Sequence, residues 1–170
     1  MSAAPLLILA CGNPSRGDDA LGPRLLELLE TDRDAGRIPA RFETLTDYQL
    51  QIEHALDLEG RSLVLFVDAA VSCTPPFEFT VLQPAQDRSY SSHALSPAAV
   101  LAVYAQITST VPPPAFQLAI PGLQFELGEG LSPMAESHLE AAHGFVFGLL
   151  RHSDPDSWRQ AVKSNGRVMG

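Results

Sequence analysis

Lysine is almost missing from this chain: Lys163 is the single one, and ten arginines bring the cationic side chains to eleven against twenty acids. The formal net charge of −9 argues against sequence-independent nucleic-acid binding, which needs a basic face. It suits solubility or a basic partner. Cysteine is scarce too. Cys11 and Cys73 lie in or beside apolar segments with no Cys-x-x-Cys spacing for zinc or redox work, so two buried free thiols in a reducing compartment are expected. No apolar run approaches the ~20 residues of a membrane span, and Met1-Ser2-Ala3-Ala4-Pro5 lacks the positive charge of a signal peptide. The expectation is a soluble, cytoplasmic monomer with neither nucleic acid nor membrane as partner.

Two familiar catalytic or binding signatures are also missing. Gly12, Gly17 and Gly22 do not form Gly-x-Gly-x-x-Gly, and no Gly-Lys-Ser/Thr follows them. The adjacent Asp18 and Asp19 would in any case repel a phosphate. No Gly-x-Ser-x-Gly elbow marks a serine hydrolase.

What is present is an alternation of apolar runs and helical patterns. With 170 residues, 45% of them hydrophobic, one domain with a layered core is the natural reading. Strands are predicted at Leu6–Cys11, Arg41–Leu45, Leu63–Ala70, Phe77–Leu82 and Phe116–Pro121. The first, third and last are continuously apolar, as strands buried on both faces are; the second and fourth look like edges. Leu21, Leu25, Leu28 and Leu29 give a first helix its core face, with Pro23 tolerated in the opening turn. A second helix is predicted over about Tyr48 to Leu58, with Ile52, Ala55 and Leu56 inward. Ser96-Pro97 and Ser132-Pro133 each place an N-cap before a proline and open the third and fourth helices.

The order β-α-β-α-β-β-α-β-α predicts an α/β fold: three layers, α/β/α, about a mostly parallel, roughly five-stranded twisted sheet. Residues 1–151 form the single domain in this reading. The polar segment 152–170 is a tail, in which Asp154-Pro155-Asp156 offers a cap for a short helix carrying Trp158, Ala161 and Val162.

The chemistry concentrates after the first strand, in Gly12-Asn13-Pro14-Ser15-Arg16-Gly17-Asp18-Asp19. Adjacent carboxylates at the end of a buried strand must be solvated, paired or given a cation. Asp68 ends the third strand as a lone charge in an apolar run, and His93 precedes the third helix. In a parallel sheet the first and third strands emerge on one edge, where open α/β sheets bind ligands. Asp19, Asp68 and His93 together would suit a divalent transition metal. Plainer readings stand beside this one. Asp18 or Asp19 caps a helix; Asp68 accepts hydrogen bonds from loop amides; His93 is a satisfied loop histidine. His54 reads as a surface residue with a substrate contact as the outside alternative, and His138, His143 and His152 read as solvated.

The motifs, taken in order, resemble the [NiFe]-hydrogenase maturation endopeptidases. Leu9-Ala10-Cys11-Gly12-Asn13 through Gly17-Asp18-Asp19-Ala20-Leu21-Gly22 is similar to the family's opening. Phe66-Val67-Asp68-Ala69 matches its second acidic strand end, Ser92-His93-Ala94-Leu95 its histidine loop, and Gly128-Glu129-Gly130-Leu131-Ser132-Pro133 the turn before its last helix. The stretch from Asp47 to His54 looks like the branch serving bidirectional, NAD-linked hydrogenases. The resemblance implies removal of a C-terminal extension from a hydrogenase large-subunit precursor after nickel insertion. It implies Asp19, Asp68 and His93 as the nickel-contacting and catalytic set, with nickel presented by the substrate and no permanently bound cofactor. Asp47, Tyr48 and Gln49 would read the substrate, while Gly12, Asn13 and Asp18 support the loop. A metal-activated water and a carboxylate base are both open as the chemistry. A checkpoint or chaperone that binds the same precursor without cutting it is the alternative.

Overall fold

The computed structural model describes residues 4–86 and 95–169. Five strands, β1 (Leu6–Cys11), β2 (Phe42–Asp47), β3 (Leu63–Ala70), β4 (Glu78–Leu82) and β5 (Ala115–Pro121), form one sheet in the order β2-β1-β3-β5-β4. β1 runs parallel to β2 and β3, and β3 parallel to β5; β4 alone is antiparallel, on β5. The α-helices are α1 (Leu21–Asp34), α2 (Pro97–Thr108), α3 (Pro133–Leu149) and α4 (Pro155–Met169).

The period-2 geometry of the strands divides the core into two layers. Leu6, Ile8, Leu63, Leu65, Val67, Phe116 and Leu118 meet α1 and α3, with Trp158 of α4 closing that side. Leu7, Leu9, Val64 and Phe66 face the other way, onto α2 and a 3₁₀ helix. The three-layer, mostly parallel arrangement is the one that the alternation of runs predicts. The two strands that looked like edges, β2 and β4, lie at the edges.

The chain leaves β1 for β2 on one side, then crosses to β3 on the other side of β1. That reversal opens a crevice at the carboxyl ends of β1 and β3. The register sets two strand ends side by side there: Ala10 partners Val67, so Cys11 and Asp68 follow as neighbours.

The segment expected as a second helix departs from the prediction. It is a 3₁₀ helix over Ile52–Leu58. Ile52 and Leu56 are exposed, while His54, Ala55 and Leu58 are buried. A 3₁₀ turn repeats every three residues, so Ala55 and Leu58 share the buried face and Leu56 is turned out to solvent, while Ile52, at the first position of the turn, stays exposed. His54 closes the start of this turn, its Nδ1 accepting the Gln51 N–H at 2.8 Å; it is a buried capping residue and not a surface one. His138 is likewise buried, its ring Nδ1 2.8 Å from the Pro121 carbonyl oxygen. His143 Nε2 lies 2.6 Å from the buried Asp32 carboxylate; among the described histidines His152 alone is exposed. The 3.6 period hid these roles, because both partners lie in distant segments. Segment 155–169 is a helix whose Trp158 ring packs edge-on against Phe79 and Phe116 and donates to the Leu149 carbonyl.

Candidate functional site

The acidic loop is shaped by close backbone approach. Gly12 has φ +147°, and a Cβ there would lie 2.0 Å from the Asp19 carbonyl oxygen. Only glycine lets the chain leave β1 and pass under the residue that carries the carboxylate. Asn13 then receives the returning loop. Its backbone N–H donates to Asp19 Oδ2 at 2.7 Å, and its side-chain oxygen accepts from the Ser15 N–H at 2.9 Å. Asp18 and Asp19 sit on a single 3₁₀ turn, Gly17–Ala20, which feeds directly into α1.

The adjacent carboxylates are treated very differently. Asp18 is fully buried. Its Oδ2 accepts from the Leu123 and Gln124 N–H groups and the Ser132 hydroxyl, at 2.7, 3.1 and 2.7 Å. Its Oδ1 accepts from the Ser132 N–H at 2.7 Å. Burial alone would raise its pKa, but these donors outweigh it and hold the carboxyl below its ordinary range. Ser132 at the same time caps α3, accepting the Ala135 N–H. One carboxylate thus ties the first loop to segment 122–132 and to the start of α3.

Asp19 is half-buried and lines a cavity of about 340 Å³ with Asp68, Gly12, Cys11, Tyr48 and Gln49. The apolar side of this cavity comes from Leu9, Phe66, Val71 and Phe125. Asp68 is exposed to solvent at the wall of this cleft. The removal of water by the surrounding walls, then the charge of Asp19, push its pKa up to about 7, against a small downward pull from the Ala69 amide. Cys11 is pushed up to about 12 by burial and then by Asp68, Asp47 and Asp19, so its thiol stays protonated near neutrality and is no ready nucleophile. Cys11 and Cys73 are both free and only partly buried, a correction to the expectation of two buried thiols. Each lies at or just beyond the carboxyl end of a sheet strand instead of inside it.

Of the substrate-reading set, Tyr48 and Gln49 reach the cavity and Asp47 stands behind it. The Asp47 carbonyl accepts the Gly12 N–H at 3.0 Å, and its carboxylate accepts the Tyr48 N–H at 2.7 Å. His54 Nε2 lies 3.3 Å from the same carboxylate. Because Nδ1 already accepts from Gln51, the neutral ring carries its proton on Nε2 and donates it to Asp47. His93 lies outside the described residues. The chain resumes beyond it at Leu95, which with Ser96 and Pro97 lines the cavity.

The sequence reading missed Cys11 and Phe125 as cavity residues and His54 as the partner of Asp47. For His54 the signal was available, in a histidine three residues after Gln51. Phe125 gave none. Among the described residues no group of three or more His, Cys, Asp or Glu side chains is placed to hold a metal ion, and no helix is long and apolar enough to cross a membrane. The pair Asp19–Asp68 supplies two carboxylate ligands; a metal held there needs further ligands from elsewhere.

No family model matches the chain, and none of the curated proteins does. Solved structures do. The hydrogenase maturating endopeptidase HybD from E. coli is 25% identical, with a TM-score of 0.65 over 90% of this chain and 94% of that one. A solution structure of an endopeptidase from Escherichia coli is 27% identical, with the same TM-score and coverage. The [NiFe] hydrogenase maturation protease HycI from Thermococcus kodakarensis KOD1, at 20% identity, shares the fold: TM-score 0.63, over 88% of this chain and 94% of that one. The chain is thus a strong structural match to hydrogenase maturation proteases, and that likeness supports a protease function.

Proposed function

We propose that this chain is an endopeptidase that removes the C-terminal extension of a [NiFe]-hydrogenase large-subunit precursor once nickel is in place. The observation that carries the reading is the convergence of Asp19 and Asp68 on one cavity, at the switch point of a fold shared with HybD. Asp19, Asp68 and His93 contact nickel that the precursor displays; Asp47, Tyr48 and Gln49 read the surrounding peptide. Gly12, Asn13 and Asp18 hold the loop. The segment from Asp47 to His54 resembles the branch serving bidirectional, NAD-linked hydrogenases, and that likeness supports a substrate of the same kind.

The chemistry follows from an unevenly ionised pair. With its pKa pushed up to about 7 by the removal of water and then by the Asp19 charge, Asp68 is part-protonated over the neutral range. A dication brought by the substrate stabilises the doubly ionised form and is attracted by it. Without nickel the pair lacks its counter-charge, which makes the cleft selective for loaded precursor. An arriving cation polarises the scissile carbonyl or an attacking water. A carboxylate with a pKa near neutrality serves as general base in the competing route.

The test is the intact mass of the large-subunit precursor after incubation with this protein, nickel-loaded or nickel-free, using wild type and Asp19→Asn. Loss of a C-terminal peptide is expected only with nickel and wild type, with the variant slower by at least about a hundredfold. Stable binding without any change of mass would instead make the chain a checkpoint protein.

A further inference from the structure

We infer that segment 122–131 is a preformed docking ridge for the part of the precursor that carries the cut, and that it takes an extended peptide with apolar side chains next to basic ones. This rests on the endopeptidase reading above. Leu123 and Leu127 are 65% and 69% exposed. Phe125, midway between them, lines the cavity. Its ring folds back over Gly122, where a Cβ would lie 2.8 Å from the ring edge and 2.7 Å from the Asp18 side chain.

The ridge does not depend on its leucines for its shape. Its backbone is fastened to the acidic loop at several points. The Leu123 and Gln124 N–H groups bond Asp18. The Asp18 N–H returns to the Gln124 carbonyl at 2.7 Å, the Gly17 N–H to Glu129 at 3.0 Å, and the Gly128 N–H to Ser15 at 2.8 Å. Leu123 and Leu127, held in water by a fixed backbone on either side of the cavity-lining Phe125, offer apolar surface continuous with the cleft. Because the loop is already ordered, a partner that covers them loses little to loop ordering.

Charge selects the occupant. Glu126 and Glu129 are exposed on the ridge, and no Lys or Arg occurs between Gly122 and Leu150. The adjoining cavity adds Asp19 and Asp68. A peptide with only apolar residues would leave these acids uncompensated, and an acidic one would be repelled. The ridge also adjoins the two cleft carboxylates through Phe125, so a chain lying along it runs into the reacting centre.

The experiment compares cleavage of nickel-loaded precursor by wild type, Leu123→Ser/Leu127→Ser, Glu126→Lys/Glu129→Lys and Val111→Ser. Val111 is a control, exposed at the opposite, amino-terminal edge of the sheet. The leucine pair is expected to raise KM about tenfold or more with kcat within about twofold, at unchanged Tm. The glutamate pair raises KM at low salt, and the effect shrinks as salt screens it. Val111→Ser changes neither. An unaltered KM in the leucine variant, with wild-type cleavage intact, overturns the ridge and leaves the endopeptidase reading standing. A wild type that leaves the precursor mass unchanged removes that reading and the ridge with it. A wild-type dimer that the leucine variant dissociates, with KM unaltered, assigns the ridge to a second copy and overturns the proposal.

Discussion

Asp18 and Asp19 are consecutive in the chain, yet they anchor two regions built on opposite principles. Around Asp18, three backbone N–H groups and a hydroxyl converge on one buried carboxylate. Around Asp19 and Asp68 the protein provides few donors: among the described residues the Asn13 N–H is the one hydrogen-bond donor to the Asp19 carboxylate. Protein dipoles replace water at the first site and hold the charge there. At the second, water is thinned without replacement and like charges are left to repel. A saturated carboxylate is structural because nothing further can bind it. An undersupplied pair leaves room for a cation, and in the proposed reaction its instability in the free protein is what a nickel-bearing substrate would relieve.

Breaking the anchor gives the largest expected effect. Asp18→Ala strands the Leu123, Gln124 and Ser132 donors in a buried space and is expected to destabilise the fold by about 3–5 kcal/mol, read from urea unfolding. Asp18→Asn keeps one acceptor oxygen and loses less. The sign of the pH dependence follows from the lowered native pKa. The stabilisation is complete above the unfolded value of 3.8 and is lost as pH falls through the lower native value. Wild-type stability therefore declines below about pH 4, and Asp18→Asn flattens that decline. An Asp18→Ala variant as stable as wild type would remove the contrast between the two sites.

Gly12→Ala comes next and bridges the two regions. A methyl group 2.0 Å from the Asp19 carbonyl oxygen cannot be accommodated without moving that residue, and φ +147° is strained for alanine. A loss of about 1–3 kcal/mol is expected, smaller than for Asp18→Ala. Cleavage falls further than stability does, because the displacement acts on Asp19 directly. If cleavage and stability fell in step, the loop would be a support and no more.

How much of this contrast was legible follows from its range along the chain. The strands and the capped helices α2 and α3 are local: apolar runs and Ser-Pro pairs announce them. The carboxyl-edge meeting of Asp19 and Asp68 was legible because parallel topology determines it, even with the two 49 positions apart. The four donors to Asp18 were not, since they arrive from beyond residue 120 and are mostly backbone groups without a side-chain signature. The 3₁₀ helix at Ile52–Leu58 misled a 3.6-residue reading for a related reason: its cap and its partner Asp47 reset the local period. Docking of Trp158 depends on a cluster of rings from β4 and β5 that no window around residue 158 contains.

The smallest effect is the most discriminating. Asp68→Asn removes a carboxyl whose native pKa is pushed up to about 7 from 3.8, so ionising it opposes folding. That penalty is absent below the unfolded value, grows between the two, and is complete above the native one. The substitution is therefore expected to leave Tm unchanged at pH 4 and to raise it by about 2–4 °C at pH 8. This corresponds to about 1 kcal/mol, the modest size expected of a solvent-reachable group. Cleavage by the same variant falls at least about a hundredfold. Gain of stability with loss of activity is the signature of a group held ready for a ligand. Asp68→Asn that lowers Tm at pH 8 would mean that the carboxylate is satisfied by its neighbours, as Asp18 is; the cleft would then be a second anchor, with no undersupplied charge to receive nickel.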